Sequence, residues 1–437
     1  MTGRGVDAIA RSPAGGGTAR AGPPRDSLNA ILARDATRAV FQPIIELDSG
    51  AVVGFEALAR GPAGSPLARP AALFDAARAG DLIAELDWTC RATAFGAALD
   101  GGLGDELTLF VNVEPGALDA PCPSRYRQVY ESARAGLRVA IEITESALTE
   151  RPAELLAAVG AAREQGWGVA LDDIGADRRS LALMPLLRPD VLKLDLRLVQ
   201  QRPSPEAAEI VNAVAAQAER TGATVLAEGI ETDEQVTRAR SLGATLGQGW
   251  HFGHPAPLGE VLSSAKPGPV LPLAAPPSPR GLTPFEIVTS ARRAREGDVD
   301  LLAAVSRELE RQAEAIGDTA LVLAGFHDAA VVGEETLALY ERLSERLAFV
   351  GMLGVGVDET PAAGIRSAQT APDNPSNEWD VAVVGPHFVA ALAARHVGGA
   401  ADQTFQFAVT HDRDLSVECA RLLMARIGER SRPGPAA

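Results

Sequence analysis

Cysteine is scarce and scattered: the 437 residues hold three, at Cys90, Cys122 and Cys419, with no C-x-x-C pair among them. That spacing argues against a disulfide framework or a structural zinc site and fits a reducing cytoplasm. Basic residues are the minority, with 41 Lys and Arg against 57 Asp and Glu and a formal net charge of −16. Nucleic-acid coats and proteins of anionic membrane surfaces need clustered cations, so neither DNA nor RNA nor a membrane is an expected partner. A polyanionic ligand would have to be met by a metal or by local arginines. Long apolar runs are missing too: nothing approaches the roughly eighteen uninterrupted apolar residues of a membrane span. The N-terminal stretch MTGRGVDAIARSPAGGGTARAGPPRDS has no apolar signal segment, which makes a cytoplasmic location the expectation.

What is present suffices for two cores, since 46% of the chain is hydrophobic and 22% charged. A Gly-, Pro- and Arg-rich tail over 1–27, a Pro-rich break over 263–282 and a short tail over 429–437 divide the chain. Between them lie segments of 28–262 and 283–428, sizes that suit one barrel and one smaller α/β domain. The first segment alternates short apolar runs with longer helical stretches. Its strand candidates are AVFQPIIEL, AVVGFEAL, LTLFVNV, RVAIEIT, GVALDDI, PDVLKLD, ATVLAEG and ATLGQGW. The first two are joined by DSG, a hairpin signal, and most others by a helix-length crossover. The expected fold class is therefore α/β: a (β/α)8 TIM-like barrel whose first strand runs antiparallel to the second, followed by a second, smaller α/β domain.

In such a barrel chemistry sits where the strands end. Those ends carry Glu56, Asn112, Glu142, Asp172 with Asp173, Lys193, Glu228 and Gln248. Carboxylates converging on one mouth repel each other unless cations neutralise them. Oxygen donors without His or Cys favour a hard ion, Mg²⁺ or Mn²⁺. Two adjacent carboxylates at Asp172 and Asp173 suit a pair of ions, one carboxylate bridging both, as two-metal phosphodiester hydrolysis requires.

These residues resemble the EAL family of cyclic di-GMP phosphodiesterases. The likeness lies in FQPIIELDSGAVVGFEALAR, with the E-A-L signature at Glu56 to Leu58, and in VNV, IEITES, DDIG, KLD, AEGIE and GQGWHFGHP, in the family's order over about 28–262. The resemblance implies hydrolysis of cyclic di-GMP to linear pGpG in bacterial second-messenger signalling, with two Mg²⁺ or Mn²⁺ ions. It implies Glu56, Asn112, Glu142 and Asp172 as ligands of one ion, with Asp172 bridging to a second held by Asp173 and Glu228. Lys193 is implied to orient the attacking water, with Glu228 and Asp195 nearby. Gln42 and Arg60 correspond to nucleotide-contacting positions, and Gln248 lies in the late active-site motif. Family barrels often pair, so a homodimer is the implied assembly.

The chain departs from the family where the latter runs D-F-G-T-G-Y-S-S-L, a loop that helps to place the second metal and the substrate. Here Asp173 to Leu181 read D-I-G-A-D-R-R-S-L. Glu145 resembles the residue that anchors this loop. Arg178 and Arg179 have two open roles, pairing with Glu145 or simple exposure at the start of the next helix. The departure leaves a second reading, a barrel that captures cyclic di-GMP without cutting it and serves as a receptor or interaction module.

Beyond the Pro-rich break, the pattern predicts one amphipathic helix through SARRAREGDVDLLAAVSRELERQAEAI, then strand TALVLAGF, a helix, strand FVGMLGVGV, and strands WDVAVVG and TFQFAVT each followed by a helix. TPFEIV, LVLAGFHDA, EWDVAVVGPHF and FAVTHDRDLS resemble the DICT sensory domain, which implies a regulatory role for a signal that the resemblance does not supply. His327, His387 and His411 stand at strand ends, where packing or hydrogen bonding is the more ordinary use than a sensing cluster.

Overall fold

The computed structural model describes residues 25–118, 120–144, 151–273, 283–326, 332–354, 357, 364–369, 377–397 and 404–427. Eight strands close a barrel in chain order: β1 Arg38–Glu46, β2 Val52–Arg60, β3 Thr108–Asn112, β4 Arg138–Thr144, β5 Gly168–Ile174, β6 Val191–Leu194, β7 Thr224–Ala227 and β8 Leu246–Gly247. As expected, β1 runs antiparallel, and it does so to both neighbours, β2 and β8. Every other pair around the barrel is parallel. The β1–β2 hairpin closes through the Gly50 N–H, which donates to the Glu46 carbonyl with Gly50 at φ +69.

Side chains alternate along a strand, so residues two apart share a face. One apolar layer in the barrel interior consists of Ile44, Phe110, Ala140, Ala170, Val191, Leu226 and Leu246. Two positions along each of these strands stand Gln42, Asn112, Glu142, Asp172, Lys193, Glu228 and Gln248. The polar layer thus rests on a packed floor that keeps water out from below. Gly54, two before Glu56, belongs to that floor for a steric reason: a Cβ there would lie 2.3 Å from the Thr108 carbonyl oxygen and 3.1 Å from the Phe110 ring. Leu271 packs into the same interior cluster. The Val52 N–H donates to the Lys266 carbonyl and the Gly268 N–H to the Val52 carbonyl, which ties this stretch to the base of the barrel.

The second body is a seven-stranded sheet ordered β12-β11-β10-β13-β14-β15-β9. Its strands are β9 Arg295–Asp298, β10 Leu321–Phe326, β11 Phe349–Gly354, β12 Arg366–Gln369, β13 Glu378–Val384, β14 Val389–His396 and β15 Thr404–Thr410. One face, with Val322 and Ala324, packs on the helices Val299–Ile316 and Glu334–Arg346. The other face, with Leu321 and Leu323, joins Leu415, Ala420 and Leu423 of the helix Arg413–Ile427 in a core shared with the barrel. That helix sits against the barrel helices Pro152–Glu164 and Ser180–Leu187.

The structure departs from the sequence reading twice here. The expected long helix from Ser290 begins only at Val299; before it come a short helix, Pro284–Thr289, and the edge strand β9. Arg295 and Glu296 are exposed on β9, so its charges read like a solvated helix face although its backbone pairs with β15. WDVAVVG is followed by β14 in a hairpin rather than by a helix.

Candidate metal centre and substrate site

Lys193 is one of two lysines in the chain and is wholly buried in β6. Its Nζ lies 2.6 Å from Glu142 Oε1, 2.8 Å from Glu228 Oε1, 3.0 Å from Asp172 Oδ1 and 3.9 Å from Glu56 Oε2. Burial alone would discharge a lysine; here the carboxylates outweigh it and hold the ammonium well above its usual range. Burial pushes Glu142 and Glu228 well above the ordinary carboxylate range, helped by repulsion from Glu56 and Asp172 respectively. Burial also raises Glu56, but the Lys193 charge and hydrogen bonds from Gln248 and Asn112 prevail and its carboxyl ends below the usual value.

Asn112 Nδ2 donates to Glu56 Oε1 at 3.1 Å and to Glu142 Oε2 at 3.0 Å. The carboxamide nitrogen is thereby committed, and its oxygen is the atom suited to a cation. Gln248 Nε2 donates to Glu56 Oε2 at 2.5 Å and to Gln42 Oε1 at 3.2 Å, while Gln42 Nε2 donates to the Gly253 carbonyl. Gln42 and Glu56 face each other across the β1–β2 pair, so the three side chains form one chain at the rim. Gly249 holds Gln248 in place. It has φ +154 and an ideal Cβ would lie 2.1 Å from the Ile230 carbonyl oxygen. Gly249→Ala is expected to cost about 3 kcal/mol of stability through this backbone clash, read as a lower midpoint in urea unfolding.

Asp172 and Asp173 are neighbours on a strand and should point to opposite faces. They do not, because Asp173 adopts a left-handed backbone at φ 58, a conformation that costs an L residue about 1–2 kcal/mol. The β5–β6 register shifts at the same place, between Leu171 and Ile174. The outcome is that oxygens of Asp172, Asp173 and Glu228 all lie within 4.8 Å of one another. Uncommon backbone conformations of this kind cluster at functional sites. Burial, then the charges of Asp172 and Asp195, push Asp173 up to about 6. A set of oxygen donors this close fits a hard divalent cation better than it fits unassisted carboxylates.

Arg60, at the end of β2, is half-buried, donates through Nη1 to the Ala59 carbonyl, and has no ion-pair partner among the described residues. Burial lowers its pKa, with Glu56 opposing and Arg38 adding to the effect. Such a guanidinium suits a phosphate. Asp195 stands at the start of the helix Leu196–Gln200, where its carboxylate accepts from the Arg197 N–H and pairs with Arg197 Nε at 2.8 Å. Its place in the structure is a cap that also bears on Asp173 electrostatically. Glu145 and His327 lie outside the described residues. His387 meets Asn212 Nδ2 and His411 meets the Val389 carbonyl, two separate contacts.

Among the described residues, the two arginines of the altered loop differ in what they meet. Arg179 is exposed before the helix Ser180–Leu187. Arg178 pairs with Glu209 at 2.7 Å and with Asp318 at 3.5 Å, the latter in the turn before β10. Asp177 does not require a positive φ; its Oδ1 accepts from the Arg179 N–H and its carbonyl from Ser180 Oγ. Asp318 was not among the expected site residues, and a partner that far along the chain leaves no local signal.

A family model described as the EAL domain matches residues 25–255. The cyclic di-GMP phosphodiesterase RocR of Pseudomonas aeruginosa is 30% identical over 230 residues, covering 50% of this chain and 57% of that protein. The cyclic di-GMP phosphodiesterase NbdA of the same organism is 30% identical over 239 residues, covering 53% of this chain and 30% of that one. Among solved structures, Klebsiella pneumoniae BlrP1 in a manganese/cy-diGMP complex is 33% identical with a TM-score of 0.44, covering 51% of this chain and 56% of the other. The chain therefore matches little more than half, or less, of each relative's own length. With the E-A-L signature at Glu56 to Leu58 and the family model spanning the barrel, this chain belongs to the EAL family.

Proposed function

We propose that the barrel hydrolyses one phosphodiester of cyclic di-GMP to linear pGpG in bacterial second-messenger signalling, using two divalent ions, Mg²⁺ or Mn²⁺. The observation that carries this reading is the convergence of Asp172, Asp173 and Glu228 beside Glu56, Asn112 and Glu142. Glu56, Asn112, Glu142 and Asp172 would hold one ion, and Asp172, Asp173 and Glu228 the other. Bound there, the ions would lower the pKa of a water and neutralise charge on the phosphoryl oxygens. Lys193 supplies a fixed cation among three carboxylates and would orient that water. Arg60, Gln42 and Gln248 line the rim where the nucleotide would be held.

The test is chromatography of cyclic di-GMP incubated with the full chain and Mg²⁺ or Mn²⁺. Wild type should yield pGpG, and Glu56→Ala should lose at least about a hundredfold in rate, as removal of one electrostatic contact at a transition state does. No product with either ion refutes hydrolysis. The remade loop favours a second reading, a cyclic di-GMP receptor; binding with Ca²⁺ but no turnover with Mg²⁺ or Mn²⁺ would select it.

The same proposal gives the second sheet a regulatory, DICT-like role and the protein a homodimeric state in the cytoplasm. The Arg178–Asp318 pair joins the loop that follows Asp173 to the second sheet. Because both groups are partly exposed, the pair is worth only about 0.5 kcal/mol. Asp318→Asn should therefore change the pGpG rate by about twofold, a shift that initial-rate measurements at low and high salt would resolve.

A further inference from the structure

At the opposite end of the barrel from the acidic cluster, a cavity of about 680 Å³ opens between the barrel and the helix Arg413–Ile427. Arg163, Arg188 and Arg220 line it from the barrel, Arg421 and Asp414 from the helix, with Asp190 at its base. Two of these cations are matched: Arg163 with Asp190 and Arg188 with Asp414 at 3.3 Å. Arg421 is largely enclosed and, among the described residues, donates to the Leu186 carbonyl, and Arg220 donates to Gln217 Oε1 and the Pro386 carbonyl. Arg413, beside Arg220, donates to the Gly385 carbonyl. Among the described residues no carboxylate stands within ion-pair distance of these last three, and Glu164 is the one other acidic group lining the cavity.

This is an odd place for positive charge in a chain of net charge −16. Burial, with repulsion from Arg188 and Arg163, brings Arg421 down to about 10, and burial with Arg220 does the same to Arg413. Arg188 is also one of the few non-glycine residues in the left-handed region, at φ 48. That conformation directs its carbonyl to Arg163 Nη2 at 2.9 Å while its side chain reaches Asp414. The cavity lies within the range of roughly 300–1,000 Å³ usual for small-molecule sites, which favour the junctions between domains.

We propose that this junction binds a small phosphoryl-bearing anion, gripped by the guanidinium groups of Arg220 and Arg421. A monocarboxylate carries too little charge for two unmatched guanidinium groups, whereas a phosphoryl group offers several anionic oxygens to forked N–H donors. Occupancy would tie the second sheet to the base of the barrel, which gives the sensory half of the chain a ligand of defined chemistry. The site is independent of whether the barrel cuts cyclic di-GMP.

The experiment is calorimetric titration of the full chain with pyrophosphate in EDTA, against chloride at matched ionic strength. Saturable binding is expected, weakened about tenfold by Arg421→Gln and by Arg220→Gln, the loss of one charge-assisted contact. Arg60→Gln, at the far mouth of the barrel, should leave the affinity unchanged. Arg220 is exposed on its helix, so its variant keeps the test available if Arg421→Gln fails to fold. No saturable binding, wild-type affinity in both cleft variants, or loss of binding in Arg60→Gln would each overturn the proposal.

Discussion

Lys193→Met is expected to abolish pGpG formation and to lower stability in EDTA by about 3–5 kcal/mol, the usual result of removing one partner from a buried ion cluster. The side chain is completely buried and its Nζ touches Glu142, Glu228 and Asp172 within 3.0 Å. Methionine matches the volume but leaves those carboxylates facing each other on an apolar floor. Two relaxations are open to them, protonation or a cation. Under the two-ion proposal, Mn²⁺ should therefore restore more stability to the variant than it adds to wild type, because binding stabilises a fold in proportion to its preference for the folded state. Activity should not return with it, since the positioned ammonium is gone. Urea unfolding in EDTA and in Mn²⁺, beside the chromatographic assay, separates these effects. A variant as stable as wild type in EDTA would mean that the carboxylates already share protons and that Lys193 is not their counter-charge.

The polar layer could be read from the sequence because each of its residues stands a fixed step of two from an apolar interior position. Ala170 to Asp172, Val191 to Lys193 and Leu226 to Glu228 repeat one pattern. The left-handed turn at Asp173 could not be read, since nothing in the pair Asp-Asp announces a broken alternation. β8 reads as a full strand but makes only a two-residue ladder, because β1 takes up its hydrogen bonds on one side for that short length. Pro-rich composition concealed Leu271, which packs at the barrel base through side-chain burial that local propensity does not encode. Asp318 and the arginine cleft were invisible for a plainer reason: their partners lie far away in sequence, and only the packing of the helix Arg413–Ile427 on the barrel brings them together.

Asp190→Ala should show the converse of Lys193→Met, a large loss of stability with turnover intact below the unfolding midpoint. Asp190 immediately precedes β6, three residues before Lys193 but at the opposite end of the barrel. Its Oδ2 accepts from Arg163 Nη1 at 2.5 Å and from the Val169 N–H at 2.7 Å. Its backbone pairs with the Val169 carbonyl and the Thr224 N–H. One residue thus fastens β5, β6 and β7 where the barrel begins. Alanine would take from Arg163, whose side chain is 5% exposed, its Asp190 carboxylate and orphan a buried N–H, a loss of about 3–5 kcal/mol. The bottom of such a barrel serves stability and its top serves chemistry, so kcat on cyclic di-GMP should stay within about twofold of wild type. Removing the Asp190 carboxylate also raises the net positive charge of the junction cleft that Arg163 lines. If that cleft holds a phosphoryl group, pyrophosphate should raise the melting temperature of Asp190→Ala more than that of wild type, since it then replaces the missing carboxylate as well as matching Arg220 and Arg421.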